Sequence, residues 1–170
     1  ESIEVENALR GSSDGALVGR EGELALALTA TRELFDGRAS VLAIEGEAGI
    51  GKTRLVQRIV DDARARGAVV FSGQAHPFER TRPFGLVSAA LGLSRRSSDP
   101  RRAAIGALLA SGGAAAPAVA AGDIQYRVVE EVLDLVEMSC ADRPVVLVAE
   151  DLHWADSASL SAILSVTRQL

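Results

Sequence analysis

The period of the hydrophobic positions changes several times along the chain, and each change marks a predicted element. From Arg20 the apolar residues recur at helical spacing, and Gly37 can end that helix. From Ser40 to Gly46 they are continuous, which is typical of a strand buried on both faces of a parallel sheet. Helical spacing returns after Gly51, and a second apolar strand follows at 68–73.

The second half of the chain repeats this alternation. The pattern predicts a helix from about Phe84, a solvated loop at 94–102 with a new helix start, and a small-residue, flexible loop at 111–122. It then predicts a long amphipathic helix over 123–140 and a third buried strand after Pro144. A final helix begins near Ser157, with Asp156 as its N-cap. Strands separated by helices pair in parallel through right-handed crossovers, so the pattern indicates an α/β fold.

Composition limits the classes of function. A chain of 170 residues suits one domain or most of one, with 1–16 as a polar lead-in and 17–170 as the domain. The net charge of −5 argues against a broad basic face for nucleic acid. The apolar runs are too short to span a bilayer, and from the residues at its start we expect no signal peptide. The single cysteine, Cys140, forms no internal disulfide. We expect a buried thiol, a cytoplasmic location and no membrane partner.

The segment "GEAGIGKT", Gly46–Thr53, carries the first candidate chemistry because it matches G-x-x-x-x-G-K-[ST]. Glycines let the backbone approach a ligand closely, and the loop N–H groups and the next helix N-terminus then face a phosphate. In this pattern Lys52 reaches the β- and γ-phosphates and Thr53 places its hydroxyl on Mg²⁺. The alternative is a glycine-rich turn without a ligand. The position between a predicted strand and a helix favours the phosphate loop.

Lys52 is also the only lysine in the chain, since every other basic side chain apart from the histidines is an arginine. An arginine side chain is a planar fork that prefers bidentate partners, whereas a lysine supplies a compact point charge. A lysine retained at this one position indicates a site that does not accept the larger group.

The second candidate site is "VVLVAEDLHWAD", Val145–Asp156, in which a buried strand ends in the carboxylates Glu150 and Asp151. Ligand sites of open α/β sheets lie at the carboxyl ends of the strands, so we expect these acids beside the phosphate loop. One acid then holds Mg²⁺ and the other polarises the attacking water, and either residue can take either role. His153 either senses the γ-phosphate or packs within the loop, and Trp154 is expected as a core or interface aromatic.

Three segments together resemble the nucleotide-binding domain of STAND-class ATPases. They are "LVGREGEL" (17–24), "GEAGIGKTRL" (46–55) and "EDLHWADSASL" (150–160). In particular they look like the large ATP-dependent LuxR-type bacterial transcriptional regulators and related AAA-like signalling ATPases. The resemblance implies an ASCE-type P-loop fold, a parallel sheet flanked by helices, that binds ATP or ADP with Mg²⁺ and acts as a slow switch.

The resemblance also implies roles for individual residues. Lys52, Glu150 and Asp151 are the implied catalytic group, and Thr53, Glu150 and Asp151 the implied metal ligands. Glu150 stands where many family members have an aspartate. The implied nucleotide contacts are Val18, Gly19 and Arg20 on the base side, together with Gly46, Glu47, Ala48, Gly49, Ile50, Gly51, Lys52, Thr53 and Arg54.

In the family, a central strand that carries a sensor residue follows the acid-bearing strand and its helix, and this sequence ends before it, at Leu170. We therefore expect a truncated sheet that favours self-association, and partners in C-terminal domains of a longer parent. DNA is expected only through a domain outside this chain. A regulatory ATPase module is the first hypothesis. The alternatives are a small-molecule kinase, a non-hydrolysing nucleotide-binding module, and the ATPase domain of a kinase- or cyclase-coupled signalling protein.

Overall fold

The computed structural model describes residues 19–111 and 118–169, which divide into two compact units, 1–62 and 63–170. The predicted lead-in at 1–16 lies outside the described residues. In chain order the elements are α1 (Glu21–Phe35), α2 (Lys52–Ala65), β1 (Val69–Gln74), α3 (Gly85–Leu91), α4 (Pro100–Ser111), α5 (Ala118–Asp142), β2 (Val145–Glu150) and α6 (Ser157–Gln169). Short 3-10 turns occur at Pro77–Glu79 and Leu152–Trp154.

The core of the first unit lies between α1 and α2. Ala27 of α1 is buried with Leu55 and Ile59 of α2, and the partly buried Leu24 and Ile44 pack against them. The helical spacing predicted both helices, and α1 ends just before the predicted glycine. This small core holds the start of α2 in place, and α2 follows the candidate phosphate loop.

The predicted strand at 40–46 is wrong in this structure. The segment forms no strand, and Val41 and Leu42 are 62% and 41% exposed. A strand exists only through hydrogen bonds to a neighbouring strand, and the sheet of the described residues consists of β1 and β2. The continuous apolar pattern predicts burial, but it does not supply the partner that burial requires.

The second unit contains the sheet. β1 and β2 run parallel in a continuous register from Val69 opposite Val145 to Gln74 opposite Glu150. The connection between them contains α3, α4 and α5, as the predicted crossover requires. At Gly73 the backbone of α3 lies so close that a Cβ would sit 2.9 Å from the Leu86 carbonyl oxygen. The architecture fits the predicted α/β class.

The core of the second unit lies where the helices cover this sheet. Its largest fully buried side chains include Leu91 of α3, Ile105 of α4, and Val128 and Val132 of α5. Phe71 of β1 and the α6 residues Ala158, Ala162 and Val166 complete the cluster. Helices from the connection between the strands and the helix that follows β2 therefore share one core with the sheet.

The flexible loop predicted at 111–122 is only partly tested, because residues 112–117 lie outside the described residues. The prediction is wrong for 118–122, where α5 already has helical backbone. Alanine has the highest helix propensity, so the run "AVAA" extends the helix that was expected to begin at Asp123. A run of small residues shows no hydrophobic period, so the sequence pattern alone predicts a loop in this segment.

Cys140 also departs from the prediction. Its side chain is exposed near the end of α5 instead of buried. Partial shielding from water, together with the negative charge of Glu137 one turn away, raises the pKa of the Cys140 thiol above its ordinary value. The thiol is therefore accessible but remains protonated at neutral pH.

Helices that could cross a bilayer are absent from residues 19–111 and 118–169, because none is both long and apolar enough.

Candidate functional site

The loop Gly46–Gly51 enters α2 with its residues largely exposed to solvent. Gly46, Gly49 and Gly51 have φ values of 153°, 80° and 94°, a region of backbone conformation that side chains disfavour. A Cβ on Gly46 would also lie 3.1 Å from the Ile50 side chain. The glycines of the motif are thus required by the shape of the loop.

The ammonium group of Lys52 lies across this loop. Lys52 Nζ donates hydrogen bonds to the carbonyl oxygens of Gly46 at 2.8 Å and Glu47 at 2.9 Å. Its position as the first residue of α2 brings the side chain back over the residues that precede it. The positive charge therefore stands at the loop, and its two neutral acceptors can be exchanged for anionic oxygens.

The first turn of α2 places backbone N–H groups beside the loop. The helical hydrogen bonding begins when the Leu55 N–H donates to the Gly51 carbonyl at 3.1 Å. The N–H groups ahead of it have no partner within the helix, as at every helix start. Thr53 and Arg54 are exposed on this turn, while Leu55 is buried and anchors it. N–H groups, an ammonium and a loop without bulky side chains fit a polyphosphate.

The two acids lie at the end of β2. Glu150 is its last residue, and its carbonyl oxygen accepts a hydrogen bond from the Ala75 N–H at 3.0 Å. Asp151 follows in the left-handed conformation, with φ 54° and ψ 42°. Its Oδ2 accepts a hydrogen bond of 2.8 Å from Nε2 of Gln74, the last residue of β1. Glu150 therefore ends β2 itself, and Asp151 is hydrogen-bonded to the last residue of β1.

These acids fit the coordination chemistry of Mg²⁺. Within residues 19–111 and 118–169, no group of three His, Cys, Asp or Glu side chains is arranged to hold a metal. Mg²⁺ is commonly bound by one or two carboxylates together with substrate phosphates and water, so a pair of acids is the donor set expected for a metal that arrives with a nucleotide.

A tight turn joins the acids to α6. The Trp154 N–H donates to the Asp151 carbonyl at 2.8 Å, which closes the turn. Trp154 is half-buried, its ring centroid 4.9 Å from that of His153 and 5.5 Å from the Arg80 guanidinium carbon. The exposed His153 thus contacts its neighbour within the turn, and its predicted role toward a γ-phosphate stays a prediction.

Asp156, at the end of this turn, is a buried carboxylate with three backbone partners. Its Oδ1 accepts from the Ser159 N–H at 2.8 Å, which confirms the predicted N-cap of α6. The same group accepts from the N–H groups of Phe84 at 2.8 Å and Gly85 at 3.0 Å. Phe84 has a left-handed φ of 60°. Asp156 therefore joins the turn after β2 to the start of α3.

The predicted site residues fall in both units. The loop and its lysine, with Gly19 and Arg20 at the start of α1, belong to the unit 1–62. The two acids belong to the unit 63–170. Val18 lies outside the described residues. Gly19 donates its N–H to Glu21 Oε1 at 3.2 Å, a contact within the chain entry to α1.

Sequence reasoning missed Gln74 and the second role of Asp156. A usable signal existed for Gln74, because it is a polar residue at the carboxyl end of a strand predicted to be parallel. None existed for the contacts of Asp156 with Phe84 and Gly85, since these partners are 72 and 71 positions away.

Comparisons with known proteins bear on this arrangement. A family model described as the AAA ATPase domain matches residues 16–170. An uncharacterized protein of Rhizobium meliloti (strain 1021) is 29% identical over 177 residues, a match that covers 88% of this chain and 17% of that protein. The chain thus spans about a sixth of that relative's length. No solved structure gives a significant match.

Proposed function

Because the chain belongs to the AAA ATPase domain family, we propose that it binds ATP with Mg²⁺ and acts as a slowly hydrolysing regulatory switch. One observation carries the proposal. The Lys52 ammonium lies on the open glycine loop at the start of α2, where it donates to the carbonyl oxygens of Gly46 and Glu47. An ammonium, helix N–H groups and glycine backbone together form a receptor for a chain of phosphates.

The residues of the loop take the binding roles. In a nucleotide complex Lys52 would exchange its carbonyl acceptors for β- and γ-phosphate oxygens, and Thr53 would supply its hydroxyl as a metal ligand. In this proposal the backbone of Gly46, Glu47, Ala48, Gly49, Ile50, Gly51 and Arg54 contacts the phosphates, and the family resemblance assigns the base-side contacts to Val18, Gly19 and Arg20. Binding of this kind positions the terminal phosphate without any covalent step by the protein.

Glu150 and Asp151 take the metal and water roles. Bound Mg²⁺ supplies neutralisation of charge on the phosphate oxygens. One carboxylate contributes an oxygen ligand, and the other accepts a hydrogen bond from the attacking water and orients it. Glu150 is within the ladder of β2, whereas Asp151 has left it. The end of β2 thus presents two acids, one with its backbone in the sheet and one with its backbone outside it.

We further propose that the chain is the nucleotide-binding part of a larger STAND-class regulator of the LuxR type. The three motifs support this assignment, and the relative, of which the chain spans 17%, supports only a place within a longer protein. In this proposal nucleotide shifts the parent between inactive and active states, and DNA contacts lie in a domain outside residues 1–170. A parent that couples the same domain to a kinase or a cyclase remains the alternative.

The test is ATP hydrolysis by the full-length parent and by its Lys52→Ala and Asp151→Asn variants. We expect slow Mg²⁺-dependent hydrolysis that both substitutions abolish, with ATP binding retained in Asp151→Asn. A phosphate acceptor that raises turnover far above the rate with ATP alone would favour a small-molecule kinase. Equal rates in the parent and Asp151→Asn, with binding intact, would favour a module that binds nucleotide without hydrolysing it.

A further inference from the structure

Four arginines lie within residues 94–102, the arginine loop, which leads from α3 into the first turn of α4. The side chains of Arg95, Arg96 and Arg101 are exposed. We propose that the arginine loop is an interaction surface that binds a short, carboxylate-rich segment of a partner protein. These residues belong neither to the phosphate loop nor to the acids at the end of β2, so this surface adds to the proposed ATPase function.

The charge of the arginine loop is not compensated from within the protein. In the part of the chain that the structure describes, the guanidinium groups of Arg95, Arg96 and Arg101 have no carboxylate partner. The acid of the loop, Asp99, is already occupied. Its Oδ1 accepts hydrogen bonds from the Arg101 and Arg102 N–H groups at 2.9 and 3.2 Å, and its Oδ2 lies 3.7 Å from Arg102 Nε. Three positive charges therefore face solvent in a chain whose net charge is −5.

The backbone of the arginine loop is ordered without a partner. A Cβ at Gly106 would lie 2.4 Å from the Ser94 carbonyl carbon, so the loop lies directly on α4. The Ser94 carbonyl oxygen accepts a hydrogen bond of 2.9 Å from the Ser97 N–H, and Ser94 Oγ accepts one of 3.2 Å from the Arg96 N–H. A loop that is ordered beforehand loses less conformational entropy when a partner binds.

The fourth arginine attaches the loop to the core. The guanidinium carbon of Arg102 lies 5.3 Å from the centroid of the Phe71 ring, and its side chain is only 31% exposed. Phe71 belongs to β1, so the loop is fixed to the sheet as well as to α4. Because Arg102 already has these contacts, we assign the binding role to Arg95, Arg96 and Arg101.

The chemistry of these three side chains indicates the kind of partner. A guanidinium is a planar group that pairs with a carboxylate through two parallel hydrogen bonds. Nucleic acid presents the same sign of charge, but a protein typically binds it through about 6–10 phosphates, which is more than this loop can contact. The negative charge of the whole chain also repels such a long polyanion.

The helix beside the arginine loop strengthens this choice. α5 shares a hydrophobic core with α4. It exposes four acids, Glu130, Glu131, Asp134 and Glu137. The positive charge is therefore confined to one loop on an acidic surface, and a short acidic segment matches it in sign and in extent.

The expected strength of binding follows from the exposure of the arginines. An exposed ion pair contributes a factor of roughly 1.5- to 5-fold to a binding constant, so three pairs together contribute about 10-fold. Salt screens charges that are exposed to solvent. Binding at this surface should therefore weaken as the ionic strength rises.

The direct test is fluorescence anisotropy of a fluorescein-labelled octaglutamate peptide titrated with the chain at low and at high ionic strength. One variant combines Arg95→Gln, Arg96→Gln and Arg101→Gln, which removes three charges and keeps long, polar side chains. Its unfolding midpoint in urea, compared with that of the unsubstituted chain, shows that it is folded.

The matched control separates the loop from the net charge. It combines Arg32→Gln, Arg58→Gln and Arg64→Gln, which removes the same charge from exposed positions on α1 and α2. We expect the chain to bind the peptide at low ionic strength. The loop variant should raise the dissociation constant roughly 10-fold, and the control variant should change it by less than about 2-fold.

Three results would overturn the proposal. Equal weakening in the two variants would show that net charge alone attracts the peptide, and absence of binding by the unsubstituted chain would remove the surface altogether. A short DNA duplex that binds the loop more tightly than the peptide, or a dimer of the chain that the loop substitutions dissociate, would show that the partner is not an acidic segment of another protein.

Discussion

At the scale of single residues, Asp156 shows most clearly how one side chain joins distant parts of the chain. It is 5% exposed, and three backbone N–H groups from α6 and from the start of α3 donate to it. A buried carboxylate is stable only when such donors replace water. Asp156 is therefore a cap for two helices at once.

We predict that Asp156→Ala lowers the free energy of unfolding by roughly 2–4 kcal/mol, because the buried Phe84 and Ser159 N–H groups lose the carboxylate acceptor and the Gly85 N–H keeps only its bond of 3.2 Å to the Arg82 carbonyl. Asp99→Ala is the matched control. Asp99 caps the exposed start of α4 through two N–H groups, and its loss should cost about 1 kcal/mol. Urea denaturation compares the two. Equal losses would contradict the double role of Asp156.

The reactivity of Cys140 gives a second prediction at this scale. Shielding from water and the charge of Glu137 raise the pKa of the thiol, so less thiolate is present at pH 7.5 than in a free cysteine. Alkylation by iodoacetamide should therefore be slower than that of a free thiol, despite the exposed position. Glu137→Gln removes the neighbouring charge, lowers the pKa and should speed the reaction. Mass spectrometry follows the label, and an unchanged rate in Glu137→Gln would exclude the electrostatic contribution.

At the scale of elements, the close approach of a helix to a loop limits which residue type can occupy one position in the helix. A Cβ on Gly106 in α4 would lie 2.4 Å from the Ser94 carbonyl carbon and 2.6 Å from the Arg95 nitrogen. Both atoms belong to the backbone, which cannot yield as a side-chain tip does. The loop at 94–95 thus packs against α4 only because position 106 has no side chain.

Gly106→Ala should destabilise the protein by roughly 1–3 kcal/mol, because the helix and the loop must separate. Gly22→Ala in α1 is the control, since a Cβ there meets nothing within 4 Å. In a helix that substitution should stabilise by about 0.4–1 kcal/mol. Thermal unfolding shows the sign of each change. A neutral Gly106→Ala would show that this contact is looser than described.

Most elements could be predicted from local pattern, because the period of apolar residues and the caps carry that information. The helices α1, α2 and α6 and the strands β1 and β2 are confirmed close to their expected bounds. Two features failed for different reasons. Burial at 40–46 depends on a partner strand that no local pattern specifies, and the early turn of α5 depends on alanine propensity, which leaves no apolar stripe.

The same limit applies to the site. The candidate phosphate loop and the candidate acids Glu150 and Asp151 could be proposed from the sequence because each belongs to a short motif with a chemical reason. Gln74 could not be assigned to Asp151, because the register of β1 and β2 decides that contact. Contacts between elements are a property of packing, and they lie beyond what periodicity can express.

At the scale of the whole molecule, the chain is a member of the AAA ATPase domain family. It covers 17% of the length of one relative. Its further partners, its tendency to self-associate and the role of its parent stay predictions. The phosphate loop and the acids fall in different compact units, and each has its own core.

The central claim is that Gly46–Thr53 binds the phosphates of a nucleotide, and titration with a fluorescent ATP analogue and Mg²⁺ tests it most directly. Lys52→Ala should weaken binding roughly 10- to 100-fold, the loss expected for charge-assisted hydrogen bonds. Lys52→Arg should also weaken it, because a planar fork does not replace a compact ammonium. Arg58→Ala removes an equal charge from an exposed position further along α2 and should bind normally. Equal binding by the chain and Lys52→Ala, or equal weakening by Arg58→Ala, would contradict the account.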